Sequence, residues 1–328
     1  MSLSKEKVML IGGAGFIGSA IIRQLIEKYE VKVIIYDGFI QYISPLETNY
    51  NEYLKYRFKG ISDKIISIRG DTRDSTFLRR TILEQKPDYI IHLAALPIAN
   101  ISNKNSDETF SSILKGLVNV LEILRDVDFI KKFIYISSSM VYGNFKYIKA
   151  DECHPTNPIN LYGCYKLCGE IITKTYGQKY NIPFSIVRPS AVYGPTDLNR
   201  RVSQIFIENA LNNKPIIING KTTCLDFTFV EDTSQGIIKV LFSKNSEGQT
   251  FNITYGEGYT LLEFVQTLEK LVGKLKIEFR STDDKVPKRG ALDITKAKNL
   301  VNYNPQFTLE QGIEKCIDFY KLMGGYKI

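Results

Sequence analysis

Tyr162 and Lys166 stand four residues apart in "LYGCYKLCGEIITKTYGQKY" (Leu161 to Tyr180), a stretch whose pattern reads as a helix. At that spacing both side chains share one helical face. A lysine beside a tyrosine, near a positively charged ring, stabilises phenolate and draws the phenol pKa toward working pH. Such a phenol can take a proton from a hydroxyl while a hydride leaves the same carbon. A second group of candidates lies in "ISSSMVYG" (Ile136 to Gly143), where three serines follow an apolar run. Ser138 and Ser139 can hold a reacting hydroxyl there, whereas the next residue, Met140, cannot transfer a proton.

The chemistry needs an electron carrier, and "GGAGFIG" places Gly12, Gly15 and Gly18 between an apolar run and a helical pattern. The first glycine permits a tight turn, the second lets backbone approach a pyrophosphate, and the third lets helix and strand pack closely. Phe16 and Ile17 open the helix, whose unpaired N–H groups favour an anion. Asp37, followed by Gly38, ends the next apolar run about 20 residues on, where a carboxylate accepts from a ribose 2′-hydroxyl. A 2′-phosphate would be repelled by that charge, and "GFIQYI" offers no arginine to welcome it, so NAD is favoured over NADP.

These residues need a scaffold that brings them together, and the first half alternates strand and helix. Apolar runs at Lys7–Gly13, Val31–Asp37, Lys64–Asp71, Pro87–Leu96, Lys132–Ser139 and Phe184–Ser190 read as six strands, separated by helical patterns. One of those helices starts after Asp74, whose carboxylate suits an N-cap. Another runs long through "ILKGLVNVLEILRD". Near-continuous Val, Ile and Tyr in strands means a parallel sheet covered on both faces. The expected fold is α/β: a doubly wound parallel sheet of Rossmann type with a smaller mixed α/β substrate-binding lobe. Residues 1–190 are expected to form the nucleotide-binding part and 191–328 the lobe, with interleaved segments and a blurred boundary.

The chain has 328 residues, 44% hydrophobic and 24% charged, with a formal net charge of +8. That length suits a two-lobed globular enzyme, and that composition argues against disorder. Lysines and arginines are scattered rather than clustered, which argues against a nucleic-acid arm and allows attraction for a phosphate-bearing small molecule. Five cysteines with no CxxC pair read as free thiols in a reducing compartment, not as a metal site. No apolar run reaches the roughly 18 residues of a membrane span. A cytoplasmic protein without membrane or nucleic-acid partners is the expectation.

With "GGAGFIG", "GDTRD" (Gly70 to Asp74), "HLAA" (His92 to Ala95), "SSSMVYG", "YGCYK", "RPSAVYGP" (Arg188 to Pro195) and "DFTFVEDTSQG" (Asp226 to Gly236), the chain resembles the extended short-chain dehydrogenase/reductase family along nearly its whole length. Within it, the nucleotide-sugar epimerase/dehydratase branch is the nearest match. The resemblance implies Ser138, Tyr162 and Lys166 as catalytic residues, with Tyr162 as base and Lys166 binding the nicotinamide ribose. It implies that Asp71 and Thr72 meet the adenine, that Leu93, Ala94 and Ala95 line the diphosphate and ribose side, and that Pro189 packs near the nicotinamide. Ser139 would face the sugar of a nucleotide-diphosphate sugar substrate. His92, at a strand end without a carboxylate partner, reads as a packed residue. A homodimer through the Tyr162 helix and the one before the fifth strand is also implied.

In the dehydratases and decarboxylases of this branch a glutamate stands where Met140 stands here, so elimination loses its usual acid. Enzymes that invert two carbons carry a cysteine after "HLAA" and a histidine in "YGPHD"; this chain has "LPIANISNKN" and Thr196. Simple hydride removal and return remains: epimerisation at C4 of a hexose or hexuronic acid through a 4-keto sugar. The alternatives are a 4-dehydrogenase or ketoreductase that releases its cofactor, a 4,6-dehydratase, and a non-catalytic NAD-binding protein. Departures touch the substrate side. Ala191 stands for the usual Asn, Leu225 for the usual Arg, Ile113 for an Asn, and Tyr165 for a small hydroxyl. Arg201 and Arg289 are the candidates to supply the missing phosphate contacts.

Overall fold

A computed structural model describes residues 5–44, 49–96, 99–220, 222–281 and 287–324. Among them, seven parallel strands build the central sheet: β1 (Lys7–Ile11), β2 (Lys32–Asp37), β3 (Ile65–Arg69), β4 (Tyr89–His92), β5 (Lys132–Ile136), β6 (Phe184–Arg188) and β7 (Thr250–Asn252). Their spatial order is β7-β6-β5-β4-β1-β2-β3. The order reverses between β1 and β4, and the crevice at such a switch point is where open α/β sheets bind ligands.

Alternate residues of each strand feed two different cores. Val8, Leu10, Val33, Ile35, Ile91 and Ile134 face helices α1 (Phe16–Lys28) and Val230–Phe242. Met9, Ile34, Tyr36, Ile90, Phe133 and Tyr135 face the opposite side with Leu78, Leu117 and Leu121. Burial on both faces explains why these strands read as unbroken apolar runs. The Tyr162 helix spans Leu161–Tyr180, as its pattern predicts, and Asn160 caps it by accepting from Gly163 N–H at 2.8 Å. Asp74 likewise caps its helix, accepting from Phe77 N–H at 3.0 Å.

Two features depart from the sequence reading. Residues Tyr50–Phe58 form a helix, α2, in a stretch without a clear apolar face. The long helix before β5 carries a π turn at Ser111–Lys115, beside Gly116, where a Cβ would lie 2.3 Å from Thr72 Oγ1. Such turns gather at functional sites, and Ser112 lines the main cavity. After residue 190 the chain returns to the sheet: helix Val230–Phe242 packs on α1, and β7 pairs with β6.

The second lobe has its own core, in which Tyr193, Phe206, Phe227, Phe229 and Phe264 meet Ile313 and Phe319. Fully buried Asp226 fastens it by accepting from the N–H groups of Tyr255, Gly256 and Leu292.

Candidate active site

A cavity of about 540 Å³ runs along the crevice between sheet and lobe. Its floor begins at the glycine turn. Gly12 has φ +82°, and a Cβ there would stand 2.6 Å from Ala94 N. At Gly18 a Cβ would strike Gly13 O at 2.7 Å, so the third glycine serves helix packing. At Gly15 a Cβ would meet only Gly12 O at 3.3 Å, so its missing side chain clears the cavity more than the protein. Helix α1 starts there without a side-chain cap and without an acidic residue in its first turn. Its N–H groups and dipole are therefore left to attract an anion. This cradle fits a dinucleotide.

Asp37 lies beside it, at the end of β2. One carboxylate oxygen accepts from Ala14 N–H at 2.9 Å and the other from Phe39 N–H at 2.7 Å. Burial raises its pKa, while those two N–H groups and nearby Arg57 oppose the rise. Asp71 lies farther along and is gripped by Arg73, whose Nη2 is 2.6 Å away; Arg73 also reaches Glu108 at 2.7 Å. Gly38, Thr72, Leu93, Ala94 and Ala95 complete this end, and Pro189 lines the cavity toward the serines.

At the other end Ser138, Tyr162 and Lys166 converge. The strand-end serines leave β5, and Ser138 caps the following turn by accepting from Met140 N–H at 3.2 Å. Tyr162 bonds to Ser138, and that bond and the Arg201 charge act to lower a phenol pKa that burial raises. Lys166 is 3% exposed, and its Nζ lies 5.9 Å from the Tyr162 ring centre. Nζ donates to Ile136 O at 2.7 Å, and burial brings its pKa down to about 7. His92 is packed against Tyr135 and Phe133, both ring nitrogens unpartnered, and burial with the neighbouring Lys166 lowers its pKa to about 3. It is a packed residue.

Beyond the serines the cavity wall is built of Ser139, Met140, Ser190, Ala191, Leu225, Phe227 and Arg289. Ser139 and Ser190 hydroxyls lie 3.0 Å apart, and Arg289 Nη1 reaches Ser139 Oγ at 3.4 Å. Arg289 Nε is sealed from solvent without a partner, and burial brings this guanidinium down to about 10. Arg201 is held by Asp197 at 3.2 Å and lies 6.0 Å from the Phe16 ring. All eighteen sequence-derived residues, Phe16 and Ile17 included, thus line one cavity. Sequence reasoning missed Arg57, Tyr50, Ser112 and Ser190. Only Ser190, inside a recognised motif, had a usable signal.

A doubly wound sheet, a glycine turn at its switch point and a Ser-Tyr-Lys cluster define a dinucleotide-dependent member of the short-chain dehydrogenase/reductase class. The chain belongs to the extended family of NAD-dependent nucleotide-sugar epimerases and dehydratases: the family model described as GDP-mannose 4,6 dehydratase matches residues 9–316. A protein described as an uncharacterized UDP-glucose epimerase, YtcB of Bacillus subtilis (strain 168), is 31% identical over 95% of this chain and 97% of its own length. The dTDP-D-glucose 4,6-dehydratase of Bos taurus is 28% identical, covering 96% of this chain and 89% of its own. The structure of UDP-glucuronic acid 4-epimerase from Bacillus cereus, in complex with UDP-glucuronic acid and NAD, superposes with a TM-score of 0.88 at 30% identity, over 97% of this chain and 99% of that one.

Proposed function

We propose that this chain is an NAD-dependent nucleotide-sugar 4-epimerase acting on an NDP-hexose or NDP-hexuronic acid. Gly12, Gly15, Phe16, Ile17, Asp37, Gly38, Asp71, Thr72, Leu93, Ala94, Ala95 and Pro189 would hold the NAD, joined by Tyr162 and Lys166 on the nicotinamide side. When bound, NAD supplies an acceptor that takes a hydride and gives it back.

The chain's own groups manage the proton. Ser138 orients the sugar hydroxyl, and Tyr162 Oη takes its proton during oxidation to the keto sugar and returns it after the sugar has turned. Lys166, one helical turn on, favours phenolate when charged. Ser139 faces the sugar, and Arg201 and Arg289 answer the substrate's diphosphate. The enzyme is proposed to be cytoplasmic. It is also proposed to be a homodimer through the Tyr162 helix and the helix before β5; Ile171 in the first, and Phe110 in the turn of helix that leads into the second, remain 57% and 47% exposed.

One observation favours epimerisation over dehydration. Among the described residues, the cavity is lined by no Glu, His or Cys, and its two aspartates, Asp37 and Asp71, lie at the dinucleotide end. Elimination of water requires a proton donor and a base near the leaving hydroxyl, and Met140 fills the place where one would stand. The test is incubation with UDP-, GDP-, CDP- and dTDP-sugars, followed by proton NMR. A product inverted at C4 alone is expected. A 4-keto-6-deoxy sugar would overturn the reading.

A further inference from the structure

We propose that Arg57 is a strap that retains the bound dinucleotide, pinning the glycine turn to the loop after Val192–Tyr193 and presenting its charge to the cleft; this rests on the NAD reading above.

Arg57 sits near the end of helix α2 and is 6% exposed. Its Nη1 donates to Ala14 O at 2.8 Å, its Nη2 to Thr196 O at 2.7 Å, and its Nε to Thr196 Oγ1 at 3.2 Å. One guanidinium therefore joins the glycine turn to a second-lobe loop whose Thr196 lies 139 residues beyond Arg57 in sequence. Ala14 is held from both sides, because its N–H donates to Asp37. The backbone of Arg57 is anchored in turn: its carbonyl accepts from Arg23 Nη2 at 2.9 Å.

Two further features mark this contact as more than packing. Thr196 has φ +70°, a left-handed conformation that a β-branched residue adopts only when its surroundings impose it. Arg57 engages both its carbonyl and its hydroxyl. Asp197 follows directly and holds Arg201 at 3.2 Å, so the strap also fixes a cation that lines the cavity. Second, the three acceptors of Arg57 are neutral. Asp37 and Asp197 act on it only through space, and burial disfavours its charged form. A buried cation without a contacting anion is costly. An anionic ligand in the cleft that Arg57 lines supplies the missing counter-charge, and the dinucleotide carries one in its pyrophosphate.

The strap accounts for a cofactor that stays bound from one turnover to the next. Parting the glycine turn from the 194–201 loop requires Arg57 to release either Ala14 O or both acceptors of Thr196.

The experiment measures NAD dissociation from the purified holoenzyme by exchange with a fluorescent NAD analogue, together with the NAD-induced rise in melting temperature. Arg57→Met is expected to speed dissociation at least about tenfold and to shrink that rise. Arg57→Lys should recover part of the loss, and Thr196→Val, which keeps the strained backbone and removes one acceptor, should give a smaller acceleration. Unchanged dissociation in Arg57→Lys and Thr196→Val overturns the strap, even if Arg57→Met fails to fold. Variants with a lower melting temperature but wild-type NAD dissociation also overturn it, because the contact is then merely structural. A wild-type protein that takes up no dinucleotide overturns the cofactor reading itself, and the strap with it.

Discussion

Lys166 and Tyr162 share a helical face one turn apart, yet the lysine bonds elsewhere: Nζ stands 5.9 Å from the phenol ring centre and donates to Ile136 O at 2.7 Å. The ammonium is thus tied to the end of β5, the strand that also delivers Ser138. Burial brings its pKa to about 7, with Glu170, one turn further along the helix, opposing the fall. In the crevice the lysine changes charge near neutrality, and Arg201 and Ser138 are the groups that act against the burial-raised pKa of the phenol.

This makes Lys166 a source of pH-dependent stability. Its folded pKa of about 7 lies below the ordinary 10.5, so the unfolded chain binds more protons between those values. The lysine's contribution is complete above pH 10.5 and is lost as pH falls through 7. Lys166→Met should therefore stabilise the cofactor-free protein at pH 6 by on the order of 3 kcal/mol, the gain fading toward pH 10. Urea titrations at several pH values measure this, and a gain independent of pH would contradict it. The same variant should lose turnover at every pH.

Tyr162→Phe removes the proposed proton carrier and little else, since the ring stays and only the bond to Ser138 goes. Turnover of the active nucleotide sugar should fall by about 10²–10⁴-fold, with the melting temperature close to wild type. Proton NMR of the reaction and a thermal scan check both halves. Activity within tenfold of wild type would remove Tyr162 from the chemistry.

What the sequence disclosed was local. The glycine turn, Asp37, Asp74 and the Tyr162 helix each announce themselves within a few residues, because turn geometry, strand ends and helix caps are short-range matters. The strap was hidden because Arg57 and Thr196 are 139 positions apart and Arg57 belongs to no recognised motif. Helix α2 mixes tyrosines with charges, so periodicity gave no face. Strand β7 is three residues long, too short to show a period. The π turn sits beside the close approach of Gly116 to Thr72, which only packing reveals.

Beneath the catalytic end, Glu170 and Arg188 form a pair with side chains 1% and 4% exposed. Glu170 accepts from Arg188 Nε at 2.8 Å and Nη2 at 2.6 Å, and from Ser137 Oγ at 2.6 Å. Glu170→Gln turns an amide N–H₂ toward these donors and leaves a buried cation unpaired. It should cost about 3–5 kcal/mol, while Glu170→Leu combined with Arg188→Met should recover much of that loss. Denaturant unfolding decides it: a single-variant cost below about 1 kcal/mol would mean that the pair is solvated in solution.

Asp226 carries the same logic into the second lobe. Its carboxylate gathers Tyr255 N–H at 3.1 Å, Gly256 N–H at 3.1 Å and Leu292 N–H at 3.0 Å, joining its own segment to two others. Leu292 lies three residues beyond Arg289, in the short strand Ala291–Leu292 that pairs with Lys149–Ala150. Asp226→Asn keeps the size but turns an amide donor against at least one of those N–H groups, at a cost of about 1–3 kcal/mol. Loosening that strand frees Arg289 on the sugar side, whereas Ser138, Tyr162 and Lys166 rest on β5 and its neighbouring helix. The variant should therefore raise KM for the nucleotide sugar several-fold with kcat nearly kept. Steady-state kinetics below the melting transition measure the split, and a fall in kcat at constant KM would place the effect of Asp226 on the catalytic groups instead.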